Sequence, residues 1–371
     1  MADPGPECPH AVSDGRYRRG LRCLRGALSR KRVALLLLLV GVSFVGSGVV
    51  VLGRNWGGGR LAKPAPQSTR PEDFVSRSGG KILLNGRPWW FDGYNSNSGL
   101  CGGDDEILSD AEINAWYDSM RHDGHGLSRV WVLPSDGDVG LAKLRDVVLP
   151  AAERNNVFLV VTLDDAGNAC GRQRSGDYYS SGWRTDGFGD HLRRMLPALK
   201  DRTHIAMWEP INEPDRGNGN MMKQYFDAVG SLMKSLDPNH LISSGFQVPY
   251  DGSEANVAIA QSSKYVDIAS FHEYDTNDAE SPWFPAAQRA SGGKPMYMGE
   301  FGISGAPVGS GCLSYGDRAA WTSRKLHAYF THPEFIGGTW WVATGDTPAG
   351  CDLKTGPQDQ PMVQMMRASG P

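Results

Sequence analysis

The sequence of residues 73–371 predicts a (β/α)₈ barrel, with a doubly wound open sheet as the alternative topology. Short apolar segments alternate with longer amphipathic ones, and eight of the apolar segments have the length of a buried strand. Parallel strands that alternate with helices are typical of such a barrel. The predicted strands are Trp89–Gly93, Ser128–Leu133, Val157–Leu163, Ile205–Trp208, Leu241–Ser244, Asp267–Phe271, Pro295–Gly299 and Gly338–Trp341.

Four of the intervening segments have the spacing of amphipathic helices. Apolar side chains recur every three or four residues in each of them. Ser109 or Asp110 can cap the first helix, and Asp237-Pro238 ends the third. The predicted helices are Asp110–His122, Asp186–Leu199, Met221–Leu236 and Tyr315–Tyr329.

The first 72 residues differ in composition from the predicted barrel. Residues 1–32 are rich in arginine, residues 33–52 are apolar and uncharged, and residues 53–72 are rich in Gly, Pro, Ser and Arg. An apolar segment of about 20 residues can cross a bilayer as a helix, and flanking positive charge tends to stay cytoplasmic. We therefore expect a basic cytoplasmic tail, a transmembrane signal anchor, a flexible linker and an extracytoplasmic domain at the cell membrane. Secretion after signal cleavage is the alternative.

Cysteine usage agrees with export of the predicted barrel. Cys101, Cys170, Cys312 and Cys351 all follow the apolar segment. Four cysteines in an oxidising compartment predict two disulfides, with three possible pairings. We favour Cys101–Cys170 and Cys312–Cys351, because all four cysteines fall in loops at the same end of the barrel.

Charge and motif content exclude several other classes of protein. The formal net charge is −3, whereas a nucleic-acid-binding domain carries a basic footprint. Neither a Cys-x-x-Cys pattern nor a histidine pair indicates a metal site, so we predict no catalytic metal and no cofactor. We expect a monomer.

Polar side chains lie at the ends of most predicted strands, which is where a barrel of this type places its catalytic groups. Because the carboxyl ends of parallel strands meet at one end of the barrel, these side chains are expected to converge there. The candidate site residues, in chain order, are Asn95, Arg129, Asp164, Asn212, Glu213, His272, Tyr274, Glu300 and Trp341.

Glu213 and Glu300 end strands that lie across the barrel from each other. Glycosidic cleavage uses two such carboxyl groups: one protonates the leaving oxygen, and the other attacks the anomeric carbon or activates water. A separation of about 5–5.5 Å gives retention of configuration, and about 6.5–9.5 Å gives inversion. We expect Arg129 and Tyr274 to bind Glu300, and Glu213 to have a raised pKa.

The remaining candidates have supporting roles in this hypothesis. Asn212 is expected to bind the sugar 2-hydroxyl. His272 is expected to hold Glu213 or the substrate by a hydrogen bond. Asp164 is expected either to bind sugar hydroxyls or to face water.

The sequence WEPINEP, followed by FHEY and MGEFG, resembles the motifs of strands four, six and seven in glycoside hydrolase family 5 and its clan. The resemblance extends from about Phe74 to Trp341. It implies that Glu213 is the acid/base and Glu300 the nucleophile. The implied activity is retaining hydrolysis of a β-linked polysaccharide or oligosaccharide of the mannan or glucan type.

Within this family, the opening FVSRSGGKILLNGRPWWFDGYNSN is most similar to that of β-mannanases. The chain departs from the family after the third strand, where it reads LDDA instead of carrying a histidine and where the following loop lacks a tryptophan. Two alternatives therefore remain open. One is an exo-acting β-glycosidase, and the other is a non-catalytic, membrane-tethered barrel that binds carbohydrate.

Overall fold

The computed structural model describes residues 73–96, 109–167, 174, 176–276, 280–306, 311–343, 350–355 and 359–368. Within these segments, no helix combines the length and the apolar character that a bilayer crossing requires. The predicted anchor 33–52, the tail 1–32 and the linker 53–72 lie outside the described residues, and so do Cys101 and Cys170.

A parallel, curled sheet forms the centre of the fold, as the alternating pattern predicts. Each strand pairs with its neighbours in chain order, and the last strand pairs with the first. The strands are β1 (Phe91–Ser96), β2 (Leu127–Trp131), β3 (Phe158–Thr162), β4 (Ile205–Glu209), β5 (Leu241–Ile242 and Phe246–Gln247), β6 (Ala269–Glu273), β7 (Met296–Phe301) and β8 (Phe335–Ala343).

The two pieces of β5 close this sheet into a barrel. Leu241–Ile242 pairs with β4, whereas Phe246–Gln247 pairs with β6. Gly245 lies between them with a φ of 72°, and a Cβ there would lie 2.2 Å from the Ile211 carbonyl oxygen. Because both ends of the strand order belong to β5, the doubly wound open sheet is excluded.

A helix follows each strand. The helices that follow the strands are α1 (Asp110–Asp123), α2 (Gly137–Lys143, continued by Leu144–Val148 and Leu149–Asn155), α3 (Phe188–Leu199), α4 (Gly219–Leu236), α5 (Glu254–Gln261), α6 (Phe284–Ser291), α7 (Tyr315–Tyr329) and α8 (Gln360–Ala368). A shorter helix, Gly176–Ser180, precedes α3. Ser109 caps α1 together with Glu112 in a reciprocal capping box.

Buried apolar side chains fill the barrel and the layer between strands and helices. Inside the barrel, Phe91, Leu127 and Tyr297 pack with the N-terminal hairpin, whose strands are Ser76–Ser78, Lys81–Leu84 and Arg87–Pro88. The hairpin contributes Val75 and Ile82 to this cluster. It therefore covers the end of the barrel that lies opposite the candidate site.

Five predicted strands end too early. β1 continues through Ser96, β4 through Glu209, β6 through Glu273, β7 through Phe301 and β8 through Ala343. In all of these strands except β8, polar residues follow the apolar run, and a pattern based on hydrophobicity assigns them to loops. They remain extended because other polar groups bind their side chains: Asn95, Glu209 and Glu300 bind Arg129, and Glu273 binds Lys325 of α7.

The predicted Cys312–Cys351 disulfide is confirmed, with Cα atoms 5.9 Å apart. It joins the segment after β7 to the segment after β8. Beside it, the buried Arg318 of α7 donates to the Asp352 carbonyl oxygen and pairs with Asp359. The disulfide and the ion pair together fasten the chain after β8 to α7.

Candidate active site

Glu213 and Glu300 converge at the carboxyl ends of the strands. An oxygen from each carboxylate and Nδ1 of His272 all lie within 4.8 Å of one another. His272 Nδ1 is 3.0 Å from Glu213 Oε1 and 3.5 Å from Glu300 Oε1. The upper bound of 4.8 Å between the two carboxylate oxygens is shorter than the about 6.5–9.5 Å that leaves room for a water molecule between the two carboxyl groups of an inverting glycosidase.

The backbone of Glu213 lies in the left-handed region, with a φ of 46°. This conformation costs about 1–3 kcal/mol for a non-glycine residue and persists only where surrounding contacts impose it. Here the Glu213 N–H donates to the Gly245 carbonyl oxygen at 2.8 Å, and the Asn212 N–H donates to the Asp164 carbonyl oxygen at 2.8 Å. The neighbouring strands thus fix the direction of the Glu213 side chain.

Arg129, which is fully buried in β2, connects the site residues to one another. Its Nη1 donates to Glu300 Oε1 and to Asn95 Oδ1, each at 2.8 Å. Its Nη2 donates to Asn212 Oδ1 at 2.8 Å, and its Nε donates to Glu209 Oε1 at 3.0 Å. One rigid guanidinium therefore sets the positions of four side chains that come from β1, from β7 and from the end of β4.

Glu209 at the end of β4 is a site residue that the sequence analysis missed. It is fully buried and also accepts hydrogen bonds from Thr162 at 3.0 Å and Ser243 at 3.1 Å. Burial alone would raise the pKa of Glu209, but the charge and hydrogen bonds of Arg129 lower it below its usual value. The available signal was a charged residue in an apolar strand, which is also the signal that selects Arg129 in β2.

Tyr274 donates a hydrogen bond from its hydroxyl to Glu300 Oε2 at 2.8 Å. Burial and the charge of Glu300 raise the pKa of Tyr274, so the phenol stays protonated and can donate. Gly299 allows this close packing around Glu300, because a Cβ there would lie 2.8 Å from His272 Nε2. Both Glu300 oxygens therefore accept hydrogen bonds from fixed donors.

The predicted raised pKa of Glu213 is wrong for the free site. Burial raises the pKa of Glu213, but a hydrogen bond and charge from His272, with a further hydrogen bond from Gln247, lower it overall. Burial lowers the pKa of His272, but the negative charges of Glu300 and Glu213 raise it overall. The His272 imidazole thus lies between two carboxylates, and their charges stabilise its protonated form relative to its neutral form.

Asn95 and Asn212 hold the network in place. Asn95 Nδ2 donates to the Gly299 carbonyl oxygen at 2.9 Å, which links β1 to the strand that carries Glu300. Asn212 Nδ2 donates to Asp165 Oδ1 at 2.9 Å. Both amides are almost completely buried.

Asp164 does not face water, contrary to one of the two predicted roles. It is 2% exposed, and its carboxylate binds Arg174 through both oxygens, at 2.6 and 3.1 Å. Tyr178 also donates to it. The acid after β3 therefore fixes Arg174, which reaches Asp186 with its other amino group.

Trp341 in β8 is half-buried, and its ring lies 5.9 Å from that of Trp131 at the end of β2. The Arg129 guanidinium carbon lies 5.1 Å from the Trp131 ring centre. The two indole rings form an aromatic wall beside Arg129, and Trp131 is a second residue that the sequence analysis did not select.

Glu213, His272 and Glu300 are also the three residues that could offer ligand atoms to a metal ion in the described part of the chain. Two features oppose such a site. The Arg129 guanidinium already binds Glu300, and the raised pKa of His272 favours the protonated imidazole, which has no free lone pair. The arrangement suits proton transfer better than metal binding.

Comparison with curated proteins finds mannan-degrading enzymes among the relatives. The chain is 26% identical over 300 residues to the probable mannan endo-1,4-beta-mannosidase A of Aspergillus flavus. The matched region covers 65% of this chain and 74% of that protein. The chain is 25% identical over 340 residues to the mannan endo-1,4-beta-mannosidase A of Hypocrea jecorina, over 77% of this chain and 73% of that protein. No family model matches the chain.

Comparison with solved structures finds the same kind of fold. The glycoside hydrolase family 5 mannosidase of Rhizomucor miehei superposes with a TM-score of 0.64 at 17% identity, over 81% of this chain and 97% of that chain. The endo-1,4-beta-mannanase of the same organism superposes with a TM-score of 0.61 at 18% identity, over 80% of this chain and 98% of that chain. At this level of identity the likeness supports a TIM-like barrel.

Proposed function

We propose that this chain is a retaining β-glycoside hydrolase that cleaves mannan-type polysaccharides, with Glu213 as acid/base and Glu300 as nucleophile. The observation that carries the proposal is the convergence of these two carboxylates within 4.8 Å, with His272 between them. The named relatives support an O-glycosyl hydrolase of the endo-mannanase kind that acts on mannan.

In the first step, Glu300 attacks the anomeric carbon while Glu213 protonates the leaving oxygen. Arg129 and Tyr274 hold the two Glu300 oxygens, which aligns the nucleophile before the sugar arrives. When His272 is protonated, its Nδ1–H lies 3.0 Å from Glu213 Oε1 and supplies the proton that Glu213 needs. A bound sugar excludes water and disfavours the separated charges, which favours transfer of this proton to Glu213.

In the second step, Glu213 is a carboxylate again and takes a proton from water as the water attacks the covalent intermediate. Two inversions at one carbon give net retention of configuration. Formation of the ester removes the negative charge of Glu300, which is one of the charges that raise the pKa of His272. The first step therefore removes a negative charge beside His272, and the second step restores it when Glu300 is released.

The test uses Glu213→Gln and Glu300→Gln, with the surface variant Glu254→Gln as control. On mannooligosaccharides, both site variants should lower kcat by at least about 10²-fold, whereas the control keeps wild-type activity. On an aryl β-mannoside with a good leaving group, E213Q should still release the aryl group in a first turnover, because little protonation is needed there. An active E300Q enzyme, or inversion seen by NMR of the first products, would overturn the mechanism.

The size of the products decides between endo and exo action on the same samples. We propose endo action, because both named relatives are endo-1,4-beta-mannosidases. An endo enzyme releases mixed oligomers from a long mannan at early times, and an exo enzyme releases one small product. A single early product would contradict this part of the proposal.

We also propose that residues 33–52 anchor the enzyme in the cell membrane, with the N-terminus cytoplasmic and the barrel outside. The support is the uncharged apolar segment that follows the arginine-rich tail. The full-length chain should stay in the membrane fraction after alkaline carbonate washing, and protease added outside intact cells should digest the barrel. Release of the barrel into the medium would favour the secreted alternative.

A further inference from the structure

Lys325 and Glu273 form an ion pair in the layer between the barrel and α7. Both side chains are completely buried, and Lys325 Nζ binds Glu273 Oε2. Lys325 belongs to one buried stripe of α7 with Trp321 and Tyr329, because residues four apart lie on the same side of a helix. Its Nζ lies 4.9 Å from the Trp321 ring centre and 5.6 Å from that of Tyr329. The pair is therefore shielded from water behind the end of β6.

This ion pair is not explained by a contribution to stability. Burial raises the pKa of Glu273 above its usual value, although the charge and the hydrogen bond of Lys325 lower it. The desolvation of the carboxylate thus exceeds what its partner offsets, and an apolar pair of similar volume is often as stable in such a place. What the charged pair adds to an apolar contact is a strong hydrogen bond with a fixed direction.

Glu273 fixes the chain on both sides of Tyr274. Its Oε2 binds Lys325 of α7, and its Oε1 accepts the Asp275 N–H at 2.6 Å. Tyr274 lies between Glu273 and Asp275 in the chain, and its hydroxyl donates to Glu300 Oε2 at 2.8 Å. One carboxylate therefore connects α7 to the backbone immediately after the residue that holds the candidate nucleophile.

The end of β6 needs such a contact because its pairing with β7 is irregular. The register of the two strands shifts between Phe271 and His272, and a shift of this kind disrupts the ladder locally. Tyr274 is 37% exposed, so packing encloses its side chain only in part. The direction of the Tyr274 hydroxyl therefore depends on where its backbone is held.

α7 contacts the same part of the chain at a second point. The hydroxyl of Tyr329, about one helical turn beyond Lys325, accepts the Ser281 N–H at 3.1 Å. α7 is itself fastened near its other end by the ion pair between Arg318 and Asp359. A fixed helix thus holds the chain at the end of β6 and again shortly before α6.

We propose that Lys325 and Glu273 are positioning residues for the candidate nucleophile Glu300, and that they act through Tyr274. The pair fixes the end of β6 against α7, which places the Tyr274 hydroxyl where it donates to Glu300 Oε2. The proposal rests on the proposed function. Loss of the pair leaves the cleft able to bind a saccharide but lowers the fraction of time that Glu300 is aligned for attack.

The experiment is a double-mutant cycle measured in kcat on mannooligosaccharides. The pair variant combines Lys325→Met with Glu273→Gln, which leaves no uncompensated buried charge and keeps an acceptor for the Asp275 N–H. We expect it to lower kcat about tenfold and to change KM less than about twofold. Tyr274→Phe alone should lower kcat at least about tenfold. In the Tyr274→Phe background the pair variant should lower kcat less than about twofold further, because the hydroxyl that the pair positions is already absent.

Tyr329→Phe is a milder variant that changes no charge and removes the acceptor of the Ser281 N–H. It should lower kcat about fivefold in the wild type and less than about twofold in the Tyr274→Phe background. Thermal unfolding shows which variants are folded. If the pair variant does not fold, the cycle between Tyr329→Phe and Tyr274→Phe decides the question.

The matched control replaces the partly exposed ion pair of α4 through Lys223→Met and Asp227→Asn. It should keep kcat within about twofold of its starting value in both backgrounds. If the wild type is active but the losses of folded variants multiply with that of Tyr274→Phe, or these variants keep wild-type kcat, this inference alone is overturned. If the wild type hydrolyses no mannooligosaccharide, the proposed function fails and this inference fails with it.

Discussion

At the scale of single residues, Arg129 holds the other site side chains in position. Its guanidinium is buried and binds two carboxylates and two amides, which come from β1, β7 and the end of β4. A buried cation of this kind is stable only while its partners remain in place. The position of the candidate nucleophile Glu300 therefore depends on Glu209, because both carboxylates bind Arg129. Glu209 itself is not one of the two carboxylates that we propose as catalytic.

Glu209→Gln tests this dependence. Loss of the charge weakens hydrogen bonds that are each worth roughly 1.5–3 kcal/mol when one partner is charged, so we expect a lower unfolding free energy. We also expect kcat to fall by about tenfold with little change in KM, because the geometry of Glu300 loosens while the cleft remains. Urea unfolding and steady-state kinetics measure the two effects.

Thr162→Val is the matched control for that variant. It removes one hydrogen bond to Glu209 but keeps the contact between Glu209 and Arg129. We expect a loss of about 1 kcal/mol and a much smaller change in kcat. If T162V lowers kcat as much as E209Q, then Glu209 does not act through Arg129.

The candidate site residues could be selected from the sequence because polar side chains at the ends of apolar strands are conspicuous. The contacts could not be assigned in the same way. Asp164 shares this pattern with Glu213, yet a partner 10 residues further along the chain, Arg174, binds both of its oxygens. The lowered pKa of Glu213 likewise depends on its distance from His272, which no sequence pattern contains.

At the scale of elements, the interrupted β5 is the feature with the strictest requirement on sequence. Gly245 turns the strand with a positive φ, and its carbonyl oxygen accepts the Glu213 N–H. The sequence predicts one strand over Leu241–Ser244, which ends before Gly245 and does not include the second piece, Phe246–Gln247. The neighbouring strands impose the positive φ of Gly245, and a pattern of hydrophobicity does not predict it.

Gly245→Ala should be more destabilising than Gly252→Ala. Both positions have a positive φ, of 72° and 80°, so both pay the backbone cost of about 1 kcal/mol or more. Only the first adds a collision, since nothing lies within 4 Å of a Cβ at Gly252. Thermal unfolding of the two variants measures the difference, and equal losses would mean that the Ile211 carbonyl moves aside easily.

At the scale of the whole molecule, the barrel is closed by its strand order and fastened near its C-terminal end by the Cys312–Cys351 disulfide. The bond spans 39 residues that include α7 and β8. Alternation of strand and helix predicted the barrel well, because this pattern repeats through most of the chain. The disulfide was predictable only after the barrel had placed both cysteines at the same end.

Cys312→Ala and Cys351→Ala test the contribution of this bond to stability. Opening a loop of 39 residues should cost roughly 2–4 kcal/mol, because the unfolded chain gains conformational freedom. Each single variant should lose as much as the double variant, since either change breaks the same bond. A double variant that unfolds at the same urea concentration as the wild type would show that the bond adds no constraint.

The left-handed backbone of Glu213 has a consequence for how this protein can evolve. Glycine, or asparagine to a lesser degree, adopts a φ of 46° more readily than glutamate does. Selection for thermal stability alone would therefore replace the side chain that we propose as the acid/base. Directed evolution of this enzyme needs a catalytic screen at every round, because heat resistance favours glycine or asparagine at position 213 and the proposed activity requires glutamate there.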